Sequence, residues 1–267
     1  MPPEPQLPQS RARLAAVLKG RRDLVSIDTV TATLGVGRME GAKLLSRWRS
    51  QGWLRRVGPG LYVPVPLELA DAGQVIEDPW VLVPSLFGSS YIGGWTAAHH
   101  WELTEQLFNE TLVFTTRRVT QAHPVVSGTK FAVHHIADSQ MFGLKRLWRG
   151  RQRVMISDPA RTLVDMLARP DTGGGIDQIN ECLGAYFKLP KADHKHLIEY
   201  AEKLGNGAVF KRLGFLVDTR GDQQELADAC RERLTQGYAR LDPALECPQL
   251  VTAWRLWVPA RWGRRRA

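Results

Sequence analysis

Apolar positions recur at helical spacing in three places near the start of the chain. Leu14, Val17 and Leu18 mark a first helix over Arg11–Leu18, and Ile27, Val30 and Leu34 mark a second that opens at Ser26 or Asp28, both good N-terminal caps. Gly35-Val-Gly37 breaks that helix. From Arg38 to Gln51 the residues Met39, Ala42, Leu45 and Trp48 are spaced every third position, so they are expected to form one buried stripe, with Gly52 as the stop. The pattern then changes period. Trp53–Val57 and Leu61–Val63, separated by Gly58-Pro59-Gly60, are rich in the aromatic and β-branched residues of strands and predict a tight hairpin. Helix, turn, helix and hairpin, with a helix in front, is the order of a winged helix-turn-helix.

Further along, patterns of both kinds alternate. Asp78-Pro79 precedes an apolar run from Trp80 to Phe87. Tyr91–Leu103 predicts a helix starting near Gly94 and closed by Thr104-Glu-Gln106. Leu112–Thr116, Lys130–Ile136 and Arg153–Ile156 are strand candidates. Ser157-Asp158-Pro159 is a strong helix start, a capping side chain followed by Pro at the first helical position; Arg161 and Asp165, four apart, are expected to pair on that helix's surface. After Gly173–Gly175 the chain turns helical: Ile176–Phe187, His194–Leu204, Ala208–Leu213 with Gly214 as a stop, and Gln223–Gln236. Leu250–Val258 predicts a last strand. The expected fold class is therefore α+β: an N-terminal winged helix-turn-helix, then a mixed α/β domain with a helical C-terminal third. Its expected divisions are a disordered Pro-rich start over residues 1–9, the winged unit over 10–72 (with Leu67–Gln74 as a connecting segment), a second domain over 73–258 divided at 172/173, and a basic tail over 259–267. The boundary near residue 72 falls after Pro64 and Pro66.

At 267 residues, 43% apolar and 24% charged, the chain has the composition of a folded protein with ample length for a core. The net charge of +9 is unevenly placed. Residues 1–64 hold eleven Lys and Arg against four Asp and Glu, and RWGRRRA adds four arginines, so the intervening stretch is slightly acidic. Positive charge concentrated at two ends suits a local polyanion site. Cys182, Cys230 and Cys247 are odd in number and far apart, with no CxxC pair, so neither a disulfide framework nor a zinc finger is indicated and a reducing compartment is implied. MPPEPQLPQS lacks the apolar run of a signal peptide, and no segment is apolar over the roughly 20 residues a membrane span needs; the expected location is cytoplasmic.

A helix fits the major groove, and a basic hairpin beside it reaches backbone or minor groove. Arg38, Lys43, Ser46 and Arg47 are therefore the candidate groove residues, Arg55 and Arg56 the hairpin contacts, and Arg117, Arg118, Arg264, Arg265 and Arg266 a secondary basic surface. The search for catalytic chemistry is negative. Gly41-Ala-Lys43 lacks the glycine spacing of a phosphate loop, no HExxH occurs, and Ser89-Ser90 and Ser127-Gly128 have no nucleophile-elbow context. The adjacent pairs His99-His100 and His134-His135 diverge on a helix or strand and read as structural histidines. Tyr91, Trp95 and Trp101 read as core. No cofactor, metal or catalytic residue is expected.

Four blocks, GWLRRVGPGLYVP, YIGGWTAAHHWELTEQ, SDPARTLVDML and KRLGFLVD, in this order and spacing over residues 25–217, resemble the AbiEi antitoxin family, the regulator half of type IV toxin-antitoxin and phage-abortive-infection operons. The Pro-rich start, the Trp/Arg-rich finish and His99-His100 depart from that pattern. The resemblance implies a winged helix-turn-helix that represses its own operon through promoter inverted repeats. It also implies an antitoxin domain that counters a co-transcribed nucleotidyltransferase-like toxin without a stable complex. The alternative is a DNA-targeted nuclease or nucleotide-processing enzyme with Asp138, Asp158 and Asp165 as metal ligands; the acid-x-Lys pair of a restriction-like core is absent from the strands expected here.

Overall fold

The computed structural model describes residues 9–19, 24–58, 60–65, 78–126, 128–149, 152–190, 192–221 and 223–263. The expected boundary near residue 72, the connecting segment 67–74, the start over residues 1–8 and Arg264–Arg266 lie outside them.

The first unit comprises α1 (Gln9–Leu18), β1 (Val25–Ser26), α2 (Ile27–Leu34), α3 (Arg38–Ser50), β2 (Leu54–Gly58) and β3 (Leu61–Pro64). Gln9, expected in the disordered start, is already helical. Ser26 caps α2, its Oγ accepting from the Thr29 N–H at 3.1 Å, and Gly35 ends that helix at φ +64°, where a side chain would be strained. β1 was not foreseen: two residues are too few to show a period. It pairs antiparallel with β3 (Val25 opposite Tyr62), and the sheet order is β1-β3-β2.

In α3 the buried positions are Gly41, Leu44, Leu45 and Trp48, not the expected stripe. Met39 is 80% exposed and Ala42 is exposed as well. Steps of three residues drift by about 60° each around a helix, so Met39 and Trp48 face opposite ways; steps of three and four hold one face. Gly41 belongs to that face because α2 crosses there, and a Cβ would sit 3.2 Å from Thr31 Cγ2. Trp48, fully buried, centres a core with Leu14, Val17, Val25, Val30 and Leu54, and its indole N–H reaches Ser10 Oγ at 3.2 Å.

The second region opens with a 3-10 turn at Pro79–Leu82 and α4 (Val83–Phe87). A mixed sheet follows: β4 (Ser90–Ile92), β5 (Glu110–Thr115), β6 (Val125–Val126), β7 (Thr129–His135), β8 (Leu144–Arg149) and β9 (Gln152–Ser157), with α5 (Gly94–His100) between β4 and β5. Its order is β6-β7-β5-β4-β9-β8, parallel at β5/β7 and β4/β9 and antiparallel elsewhere. β4, β6 and β8 were not expected: the first two are short, and β8 (LKRLWR) is too basic to resemble a strand. Thr104 does not close α5, which ends at Trp101; its hydroxyl accepts from the Gln106 N–H in the loop beyond.

The helical third contains α6 (Pro159–Ala168), α7 (Ile176–Phe187), α8 (His194–Leu204), α9 (Gly207–Arg220) and α10 (Gln224–Glu232). A small sheet of β10 (Ala239–Arg240), β11 (Gln249–Val251) and β12 (Leu256–Val258) follows, and then α11 (Ala260–Gly263). Four expectations are corrected here. Arg161 and Asp165 do pair, but in the interior, with side chains 0% and 5% exposed, because α6 is covered on every side from Ala160 to Leu167. Gly214 is no stop: α9 runs through it, and the missing side chain admits Trp254, whose Cζ3 would lie 2.0 Å from a Cβ. The last strand is a hairpin, β11 and β12, broken at Arg255 with φ +52°. Part of the expected tail is folded, with Trp262 buried and Arg261 paired to Asp177 of α7.

One apolar cluster joins the first unit to the sheet. Val57, Leu61 and Val63 of the hairpin pack with Val81, Leu82, Ile92, Val113 and Val133. One face of the hairpin is therefore covered, and α3 lies away from that contact on the other core.

Candidate nucleic-acid interface

α3 presents a face that is polar, cationic and open. Met39, Lys43, Ser46 and Arg47 fall within about 100° of one another around the helix, so they share one side of it, and all four are exposed. The two acids near this surface are committed elsewhere: Asp28 Oδ1 accepts from Arg38 at 3.0 Å, and Glu40 accepts from Arg13 at 3.2 Å. Lys43 and Arg47 form no ion pair among the described residues. The basic side chains of this face therefore point to solvent with their charge uncompensated, in the last two turns of a helix held rigid by Trp48.

The other candidates are less unified. Arg55 and Arg56 are neighbours in β2, and successive strand residues point to opposite faces. Arg55 is half-buried; Arg56 is exposed and curls back to donate from Nε to the Gly58 carbonyl at 3.1 Å. They do not act as a pair. Arg38 leans toward α2 through Asp28 and flanks the open face. Arg117 and Arg118 are exposed beyond β5, and Arg117 packs flat on Gly88, where a Cβ would come within 2.2 Å of Nε. Two residues earlier, Leu86 touches Gly58 at the hairpin end, so Arg117 stands within one short segment of the hairpin. The feature that sequence reasoning missed on α3 is Met39, an apolar tip among the cations; the step-of-three pattern concealed it.

The three carboxylates considered as metal ligands do not converge. Asp158 caps α6 and accepts from the Tyr200 hydroxyl at 2.9 Å; Asp138 is exposed at the start of a 3-10 turn; Asp165 is neutralised by Arg161. Among the described residues no three His, Cys, Asp or Glu side chains lie in reach of a common cation. Asp165 accepts from Arg161 Nε at 3.0 Å and from the Tyr91 hydroxyl at 2.9 Å. Burial opposes the charge on Arg161, but Asp165 and Tyr91 outweigh it and hold the guanidinium above its usual range. Burial, reinforced by Asp165, raises the Tyr91 phenol, so it remains a donor.

His100 and His134 are packed against neighbouring side chains, whereas His99 and His135 are exposed. His100 lies edge-on to Trp80 and Trp101, with ring centroids 5.4 and 4.7 Å away, and burial together with Arg149 lowers its pKa. His134 accepts from Arg169 at 3.1 Å, and burial, then that guanidinium, lowers it. Burial pushes the Cys182 and Cys230 thiols up to about 11 and about 12, which keeps them unreactive. No described helix is long and apolar enough to cross a membrane.

Residues 12–65, the span from α1 through β3, match the family model described as "Transcriptional regulator, AbiEi antitoxin". No curated protein matches the chain. Among solved structures the chain is similar to the RV2827C protein from Mycobacterium tuberculosis, at 17% identity and a TM-score of 0.66, over 95% of this chain and 92% of that one. At that identity the likeness is one of fold.

Proposed function

We propose that this chain, whose first unit matches the AbiEi antitoxin regulators, is a DNA-binding transcriptional repressor and the antitoxin of a type IV toxin-antitoxin pair. In this reading α1 to β3 is a winged helix-turn-helix. α3 enters the major groove with Lys43, Ser46 and Arg47 toward base edges, Arg38 at its N-terminal end and Met39 against thymine methyls. Arg56 at the hairpin and Arg117 and Arg118 beside it meet phosphates, with Arg55 at the base of the wing. The observation that carries the reading is the uncompensated cationic face of α3, clear of the contact that joins the hairpin to the sheet.

The target is duplex DNA of the chain's own promoter, at inverted repeats, so that the operon regulates itself. The remainder, residues 73–258, is the antitoxin domain and counters a co-transcribed nucleotidyltransferase-like toxin without stable complex formation. The protein works in the cytoplasm and not as an enzyme. The nuclease alternative finds no support in the donor set, since Asp138, Asp158 and Asp165 serve three separate purposes.

Fluorescence anisotropy with the promoter fragment and a scrambled duplex, across a salt series, tests this. Arg47→Ala is expected to weaken promoter binding by about 1–3 kcal/mol and to narrow the gap between the two duplexes. Arg56→Ala should weaken both duplexes alike and lower the slope of log K against log salt by about 1. Unchanged binding in both variants, with circular dichroism showing both folded, refutes the assignment.

A further inference from the structure

We propose that a second site, independent of the DNA-reading surface, binds a phosphate group in a cleft of about 170 Å³ at the C-terminal ends of the parallel strands β5 and β7. Phe114, near the end of β5, and Ile136, just after β7, form its apolar side; Gln140, Arg161, Asp165, Arg169 and Asn206 supply its polar groups. The ends of parallel strands in a mixed sheet are where such folds commonly take ligands.

Asp165 is the one acid of the lining, and both of its oxygens are occupied: Oδ1 accepts from Arg161 and Oδ2 from Tyr91. The Gln140 side-chain oxygen accepts from the Ala137 N–H at 3.2 Å, and that of Asn206 accepts from the Ala208 N–H at 3.1 Å. These backbone donors fix both amides oxygen-inward and leave each NH₂ to donate. Arg169 spends Nη1 on His134, which accepts as a neutral ring, and keeps the rest of its fork. Arg161 is fully buried, yet its Nη1 has no hydrogen-bond partner. A buried guanidinium N–H without a partner is costly, and such atoms in native structures commonly await a water or an ion.

The cleft therefore offers donors from four side chains, an acid whose two oxygens are both engaged, and a formal charge of +1 from two arginines against Asp165. A negatively charged group with several acceptor oxygens matches this inventory, and a phosphate, with three or four of them, meets more of these donors than a carboxylate with two.

The test uses the full chain and two near-isosteric changes. Gln140→Glu and Asn206→Asp keep the inward oxygen and its backbone bond but replace each donating NH₂ by a charged acceptor. Calorimetric titration with inorganic phosphate, and separately with a nucleoside 5′-monophosphate, at constant ionic strength should give saturable binding to the wild type. Each variant should lose affinity by about tenfold or more, with Tm in chloride unchanged. Arg47→Ala should bind phosphate as the wild type does, which separates this site from α3. Tighter binding of the monophosphate identifies an ester as the occupant; equal affinity identifies the free anion. Absence of saturable binding to either probe, or wild-type affinity in both variants, overturns the proposal.

Discussion

Replacing Asp165 by Ala removes one partner of a buried ion pair on α6. Arg161 is 0% exposed and lies at the floor of the proposed phosphate cleft. Its guanidinium would then keep the Tyr91 hydroxyl at 3.1 Å and the Phe142 ring, 3.9 Å from Cζ, as its neighbours, and neither neutralises it. Breaking a buried pair on one side costs about 3–5 kcal/mol. In a chain of this size each kcal/mol moves Tm by about 2–4 °C, so the expected fall is roughly 6–20 °C. The same physics predicts the converse for removing every member at once. Tyr91→Phe with Arg161→Met and Asp165→Leu leaves nothing charged behind and should remain within about 2 kcal/mol of the parent. Differential scanning calorimetry and urea unfolding of both variants, in phosphate-free buffer, measure the contrast. An Asp165→Ala protein within about 1 kcal/mol of the wild type, or a triple variant as unstable as the single one, would refute the account of a buried charge left without its partner.

Two further outcomes follow from packing and titration. Gly214→Ala should cost about 1–3 kcal/mol or more in urea unfolding, because its new methyl meets Trp254, which is fully buried and tethered by its indole N–H to Asp218 at 2.8 Å. Stability should also depend on pH through His100 and His134, whose folded pKa values lie below the ordinary 6.5. A lowered histidine contributes stability that is fully present above about 6.5 and is lost as pH falls toward its folded value. Urea midpoints should thus decline below that pH, and His100→Phe with His134→Gln should flatten the decline; an undiminished decline in the double variant would refute the assignment.

Much of the local structure was readable because short-range rules decide it. Ser26, Gly35 and Asp158 act at helix ends through contacts a few residues away, so a cap or break was visible in the string. α8 has the predicted limits for the same reason, with Asp193 and Gly205 at its ends; α7 has them too, although its first N–H is met by Asp242 from a distant part of the chain. What failed depended on neighbours distant in sequence. Gly41 and Gly214 look like weak points until α2 and Trp254 are seen to occupy the space their missing side chains leave. Met39 and Ala42 look buried until α2 is seen to cross on the Gly41 side. β1 exists only because β3 offers it a ladder.

The candidate sites divide in the same way. Charge concentrated in the first quarter of the chain, and the order of helices and hairpin, are properties of the string, and they point to α3. Which of its cations are open was decided by packing: Asp28 draws Arg38 aside, Glu40 is occupied by Arg13, and Lys43 and Arg47 are left facing solvent. Arg161 and Asp165, four apart, were bound to meet whatever the fold. Only the burial of α6 turned that pairing from a surface contact into an interior charge, because a helix's own period sets which residues are adjacent, whereas the elements packed around it set whether they meet in water or away from it.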